Sequence, residues 1–397
     1  MRLTASIPYV WSIPVRCASL LVVLSLAACG PATPTMQQTT PTILLASATV
    51  PPATEEAVAA QVTLAPTSFP LSEIGPYFPG KRTFTFVDAD RDSREVEIDV
   101  WYPAIRPDGF TGTVARDADP DLSGAPYPLI MTSGDSRSVF ATHLASYGFA
   151  VVGVPKLGRG MVWGLSLIDE PLDMLFALDQ IASNLLEGLE GVIDADHAGA
   201  MGYSFDGYKA LALSGARVDP ESYLAQCAKA PAMEPAPPEW WIEYICTPAN
   251  EWDTFVAHAG DAMTASDDGL WQPMTDKRIR AVMPMAPEGA WLFGERGLAA
   301  VDRPTLIIGA TKDQYNYYEL EAAYIFQHLG TPDRTLISFV GREHMMVLDS
   351  IQAPRMQHFA VAFFGYCLQG RDDWAEYFSE DFVAQHDDLA WGVYGGK

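Results

Sequence analysis

From residue 83 onward, short apolar runs alternate with longer segments whose apolar positions recur at helical spacing. Runs too short for a helix read as buried strands, and the longer amphipathic ones as helices. Strand-like runs at 83–87 and 96–102 open the series, followed by a strand at 127–132, a helix at 140–147, a strand at 149–154 and a helix at 171–186. The strand at 198–202 gives way directly to a helix at 205–216. Residues 217–275, with Pro, Trp and two cysteines, interrupt the rhythm. It resumes with strands at 279–285, 305–309 and 335–340 and helices at 317–329 and 356–368. Such alternation predicts an α/β fold with a mostly parallel sheet, helices on both faces, and chemistry at the strand C-terminal ends.

Three of those ends carry reactive residues. The strand at 198–202 runs into Gly202-Tyr203-Ser204-Phe205-Asp206-Gly207. A serine at a sharp strand-to-helix turn is a nucleophile elbow, although the usual second glycine of G-x-S-x-G is here Asp206. Lys312-Asp313 follows the strand at 305–309, and Gly341-Arg342-Glu343-His344 follows that at 335–340. The chain order Ser204, Asp313, His344 is that of a catalytic triad on this kind of sheet. A serine hydroxyl becomes a nucleophile when a histidine takes its proton, and a buried carboxylate fixes that histidine's tautomer. Asp206, in the first turn of the helix after Ser204, is expected to accept from free backbone N–H groups there and to place negative charge near the site.

The N-terminal part reads differently. Residues 1–28 carry Arg2 and Arg16, no acid, and an apolar run at 17–28 too short to span a bilayer, which is the layout of a signal peptide. The run closes on Leu26-Ala27-Ala28-Cys29-Gly30, which resembles a bacterial lipobox and implies a lipid on Cys29. Residues 29–70 are rich in Pro, Thr and Ala and read as a tether. The expected organisation is therefore signal peptide 1–28, lipidated tether 29–70, a domain over 71–370 with a cap insertion at 217–275, and an acidic, aromatic tail at 371–397.

The chain of 397 residues has 25 basic and 50 acidic side chains, net −25. Loss of residues 1–28 removes Arg2 and Arg16 and no acid, leaving 23 basic and 50 acidic side chains, net −27. Such a surface repels nucleic acid and anionic headgroups, so the membrane contact is expected through lipid, at the cell envelope of a bacterium. Cys227 and Cys246, in one loop-rich stretch of an exported chain, are expected to form a disulfide, and Cys367 on an apolar helix to be a buried thiol. No metal or organic cofactor is expected. Asp88, Asp90, Asp92 and Asp99 match part of a calcium-loop template, but Ser93 replaces its glycine, and the stretch reads as an Asp-rich hairpin turn. His143 reads as a core residue. The Trp-rich stretch around Trp240, Trp241 and Trp252 reads either as a lid or as the insertion's own core.

Most of residues 75–370 resembles bacterial α/β-hydrolases of the dienelactone hydrolase-like and platelet-activating-factor acetylhydrolase-like group. The matching stretches are Gly75-Pro76-Tyr77-Phe78, Val100-Trp101-Tyr102-Pro103-Ala104, His143-Leu144-Ala145-Ser146-Tyr147-Gly148-Phe149, the elbow, Arg303-Pro304-Thr305-Leu306-Ile307-Ile308-Gly309 and Glu343-His344. Ser133-Gly134 stands where the family often has His-Gly. The resemblance implies hydrolysis of a small-molecule carboxylic ester, with Ser204 as nucleophile, His344 as base and Asp313 as its orienting acid. It implies an oxyanion hole from the backbone N–H groups of Phe205 and Asp135. The acetylhydrolase branch takes its acid after the preceding strand, which makes Glu288 a rival to Asp313. A peptidase or amidase with the same triad, and a non-catalytic binding lipoprotein that keeps the fold, are the other readings.

Overall fold

The apolar runs assemble into a ten-stranded, mostly parallel sheet flanked by helices. The computed structural model describes residues 68–134, 136–155 and 163–395, which belong to a unit spanning Thr63–Lys397. The expected signal peptide, Cys29 and residues 30–67 of the tether lie outside the described residues, as does Asp135.

β1 (Phe78–Asp88) and β2 (Arg94–Ala104) form an antiparallel hairpin, paired from Phe78–Ala104 to Asp88–Arg94. Its turn is tied by its own side chains. Asp88 accepts from the Asp90 backbone N–H at 3.1 Å and from Arg91 Nε at 2.6 Å. Arg91 and Arg94 both reach the buried Asp173, at 2.8 and 2.7 Å, so cations of the chain itself occupy this acidic corner. Then come β3 (Ala115–Arg116), β4 (Tyr127–Ser133), α1 (Ser136–Ser146), β5 (Ala150–Val154), α2 (Ser166–Ala182), β6 (Ile193–Tyr203) and α3 (Phe205–Leu213). Five short helices follow: α4 (Pro220–Lys229), α5 (Glu239–Ile245), α6 (Thr247–Asn250), α7 (Trp252–Ala259) and α8 (Asp261–Thr264). The chain ends through β7 (Ile279–Met285), α9 (Ala290–Leu298), β8 (Thr305–Ala310), α10 (Ala322–His328), β9 (Arg334–Phe339), α11 (Gln352–Gln369), α12 (Glu380–Val383) and β10 (Leu389–Trp391). The strand order is β10-β9-β8-β7-β6-β4-β5-β2-β1-β3.

Alternate residues of each central strand feed opposite layers, as strand geometry requires. Ile130, Val151, Met201, Met283 and Ile308 pack with α1 and α11. Leu129, Met131, Val152, Ala200 and Val282 face the other way, in a layer that includes α2. Each such Val, Leu, Ile or Met side chain, fully buried, stabilises the fold by about 1.5–3 kcal/mol. Residues 371–395 contribute contacts to the sheet and its helices. Trp374 packs edge-on against Tyr147, and β10 pairs with β9 through Leu389, Ala390 and Trp391. At the other end Leu71 is also part of the core, its N–H donating to His358 Nδ1 at 3.1 Å and its carbonyl 2.8 Å from His143 Nε2. Burial lowers the pKa of both imidazoles, that of His358 to about 3, so each works as a neutral hydrogen-bonding group. The thiol of Cys367, on α11, is pushed up to about 12 by burial and is correspondingly inert.

The segment between α3 and β7 divides its tryptophans between three jobs. Trp241 is fully buried, edge-on to Trp291 at 4.9 Å and to Tyr317 at 5.8 Å. Trp252 packs within the segment, with Tyr223, Phe255 and Trp271. Trp240 stays 47% exposed. Cys227 of α4 and Cys246, which follows α5, lie at bonding distance, 2.04 Å between sulfurs, 19 residues apart in sequence. Closing a loop of that size stabilises by about 3 kcal/mol in the chain-entropy account. Replacing both cysteines by serine is therefore expected to lower the stability of residues 220–264 by about that amount. Hydrogen exchange should show faster opening there while β4, β6 and β7 keep their protection. Two free thiols in unreduced peptides, or unchanged exchange in 220–264, would contradict this.

Candidate active site

The turn from β6 to α3 is set by backbone contact. A Cβ on Gly202 would lie 2.1 Å from the Asp206 carbonyl oxygen, so strand and helix pass too close there for any side chain. Ser204 takes φ 60° and ψ −125°, a conformation that costs a non-glycine residue of order 1–3 kcal/mol and persists only where its surroundings hold it. Its N–H donates to the Met285 carbonyl at 2.9 Å, and its carbonyl accepts from Gly207 N–H at 2.8 Å. Ser204 as a residue is half-buried.

Ser204 Oγ lies 2.9 Å from His344 Nε2, and His344 Nδ1 lies 2.7 Å from Asp313 Oδ2. One tautomer satisfies both contacts: Nδ1–H donates to the carboxylate, leaving Nε2 to accept the serine proton. His344 and Asp313 are both buried. The other oxygen of Asp313 accepts from the backbone N–H groups of Tyr315 at 2.9 Å and Asn316 at 2.7 Å. With three donors converging on it, this carboxylate cannot swing away from the imidazole. Asn316 is itself held by its side-chain amide, which donates to the Ala286 carbonyl at 2.7 Å.

The His344 backbone is held on both sides as well, its N–H and its carbonyl each having a side-chain partner. His344 N–H donates to Gln314 Oε1 at 3.1 Å, and the Tyr203 hydroxyl donates to the His344 carbonyl. Burial, then the nearby Asp313 charge, raises the Tyr203 phenol well above its ordinary value, so it remains a neutral donor. The Tyr315 ring stands edge-on to the imidazole at 5.3 Å, and the exposed Trp240 lies 6.2 Å from Tyr315. Phe205, the first residue of α3, directly follows the serine, whereas Asp135 falls outside the described residues.

Glu288, the rival acid, is buried at the end of β7, where its Oε1 accepts from the Tyr244 hydroxyl at 3.2 Å, while Asp313 holds the histidine. Asp206 departs from the sequence expectation. Its carboxylate does not serve the first-turn N–H groups but accepts from the hydroxyls of Ser133 at 3.1 Å and Ser136 at 3.0 Å, with Lys209 Nζ at 2.6 Å. Among the described residues no group of three His, Cys, Asp or Glu side chains is arranged to hold a metal ion.

The sequence reading missed Glu321. It is fully buried just before α10, and its Oε2 accepts from Ala290 N–H at 2.9 Å at the start of α9. Burial raises its pKa well above the usual carboxylate value despite that bond, and the charges of Glu288 and Asp313 add to the shift. An acid set among the apolar residues of 317–329 was the one available signal. Comparison of the chain with known protein families and with curated proteins gives no match.

The raised Glu321 group makes the fold pH-sensitive in a defined sense. An unfolded glutamate ionises near pH 4.3, whereas the folded group resists ionisation, so its contribution is intact in acid and is lost as pH rises. Glu321→Gln removes that penalty while keeping an acceptor for Ala290. Its stability advantage over wild type should grow above about pH 4.3, by at most about 1.4 kcal/mol per pH unit. Urea unfolding in acid, neutral and mildly alkaline buffer checks this, and a difference independent of pH would contradict it.

Proposed function

We propose that the protein is a serine hydrolase of α/β-hydrolase fold that cleaves a carboxylic ester through an acyl-serine intermediate. The observation that carries this reading is the continuous hydrogen-bonded line from Ser204 Oγ through His344 to Asp313, at 2.9 and 2.7 Å, with the serine on a strained strand-to-helix turn. In the first step Ser204 Oγ bonds to the ester carbonyl carbon while His344 Nε2 takes the hydroxyl proton. The tetrahedral adduct expels the alkoxide, which takes that proton from His344 and leaves as the alcohol. Water then gives a proton to His344 and attacks the acyl carbon, and Ser204 leaves with the proton returned, freeing the acid. The carbonyl oxygen carries negative charge in both adducts, and the backbone N–H of Phe205 is our candidate donor to it, with that of Asp135.

On this reading residues 217–275 are a cap over the site, and Tyr315 against His344, with Trp240 against Tyr315, favours an apolar or aromatic group in the ester. The Leu26–Cys29 sequence supports export and a lipid anchor at the cell envelope. No helix among the described residues is long and apolar enough to cross a membrane.

A panel of p-nitrophenyl esters against peptide anilides tests the reaction class. Turnover of the esters alone supports the proposal, turnover of the anilides alone supports a peptidase, and turnover of neither supports a non-catalytic binder. With an active ester, Asp313→Asn is expected to lower kcat by roughly 10³–10⁴-fold, because the histidine loses its orienting charge and its tautomer. Glu288→Gln should stay within about tenfold of wild type, since that carboxyl accepts from the Tyr244 hydroxyl and it is Asp313 that meets the imidazole. The reverse pattern would transfer the acid's role to Glu288.

A further inference from the structure

The two departures from the family pattern, Asp206 in the elbow and Ser133 after the third strand of the expected series, meet in space. Ser133 ends β4 and Ser136 begins α1, so the two flank the β4–α1 turn, and each donates its hydroxyl to a different oxygen of the Asp206 carboxylate, at 3.1 and 3.0 Å. Ser136 Oγ also accepts from the Tyr203 backbone N–H at 2.9 Å. One hydroxyl thereby joins the last residue of β6, the first of α1 and the second of α3. Behind Asp206 lies Lys209, fully buried, with Nζ 2.6 Å from Asp206 Oδ1 and 2.5 Å from Glu170 Oε2 on α2. Burial would lower the lysine pKa, but the two carboxylates outweigh it and hold it above the usual value, so it stays an ammonium shared between Asp206 and Glu170. Ser133, Ser136 and Asp206 are each at most 3% exposed, so water cannot take over a lost bond.

We propose that Asp206 is a positioning residue: its carboxylate, paired with Lys209, clamps the end of β4 and the start of α1 to the nucleophile turn and so fixes where a substrate carbonyl sits relative to Ser204. A glycine at 206 would leave both serine hydroxyls without this acceptor and Lys209 with one carboxylate in place of two. The elbow has no slack to absorb a shift, since Gly202 already touches the helix backbone. The clamp rests on the hydrolase reading and deepens it by adding a residue that acts through the turn, not on the substrate.

Kinetics of Ser133→Ala, Ser136→Ala and Asp206→Asn test it, with affinity for an alkyl boronic acid that mimics the tetrahedral adduct. Each serine variant keeps the buried charges and is expected to lower kcat about tenfold or more with KM within about threefold. Boronate affinity should fall in step with kcat/KM, while the melting temperature falls only by the few degrees that one lost buried hydrogen bond costs and does not track kcat across the variants. Asp206→Asn combined with Ser136→Ala should lose little more than the worse single variant, because the two remove the same link. Should Asp206→Asn fail to fold, the serine variants alone decide. An active wild type whose serine variants keep their kcat, or lose kcat only in step with thermal stability while boronate affinity stays, overturns the clamp and leaves the hydrolase reading intact. A wild type that neither turns over esters nor binds boronate overturns both.

Discussion

The close approach of β6 to α3 is the constraint on which the site depends. With Gly202 against the Asp206 carbonyl, the chain has room for one arrangement, and that arrangement forces Ser204 to φ 60°. A strained residue persists when its surroundings over-determine it. Here the surroundings are the Met285 carbonyl on β7, the Gly207 N–H within the turn and the strands packed beside them. The same contact fixes the orientation of the hydroxyl and the place at which α3 begins, and the histidine and aspartate reach it from the ends of β9 and β8. A looser turn would leave these two residues directed at nothing.

Rigidity continues outward in two hydrogen-bonded shells. On one side Asp313 is held by the backbone of its own loop, and that loop by Asn316 reaching the Ala286 carbonyl. On the other side the buried Asp206–Lys209–Glu170 line ties α3 to α2, and the two serines tie it to the β4–α1 turn. A buried charge line of this kind is weak support for stability, since each ion gives up its hydration. Its value lies in geometry, because carboxylate, ammonium and hydroxyl partners each admit few arrangements.

Much of the sheet was legible in the sequence because buried parallel strands are short, apolar and bounded by turn residues: 279–285 matches β7 residue for residue. Ser204, Asp313 and His344 were legible as a group for a related reason, since each lies within five residues of the C-terminal end of such a strand. The choice between Asp313 and Glu288 was not, because both follow strands and only the fold places one at 2.7 Å from the imidazole. Asp206 was recognised as unusual but given the wrong partners. Lys209, three residues on in an apolar helix, was a usable signal, whereas Ser133, Ser136 and Glu170 come from distant elements whose register the sequence does not state. β10 escaped notice because three residues carry no alternation. Trp374 and Leu71 enter the core from segments whose composition reads as polar, and their partners lie far away in sequence.

The most direct measurement of the central claim is mass-spectrometric mapping of the adduct left by a fluorophosphonate probe. The probe reacts with a serine whose proton is drawn off by a base. The account predicts one phosphonylated residue, Ser204, with labelling abolished in Ser204→Ala and strongly slowed in His344→Ala. An unlabelled folded protein, or labelling on another serine that survives Ser204→Ala, would contradict it.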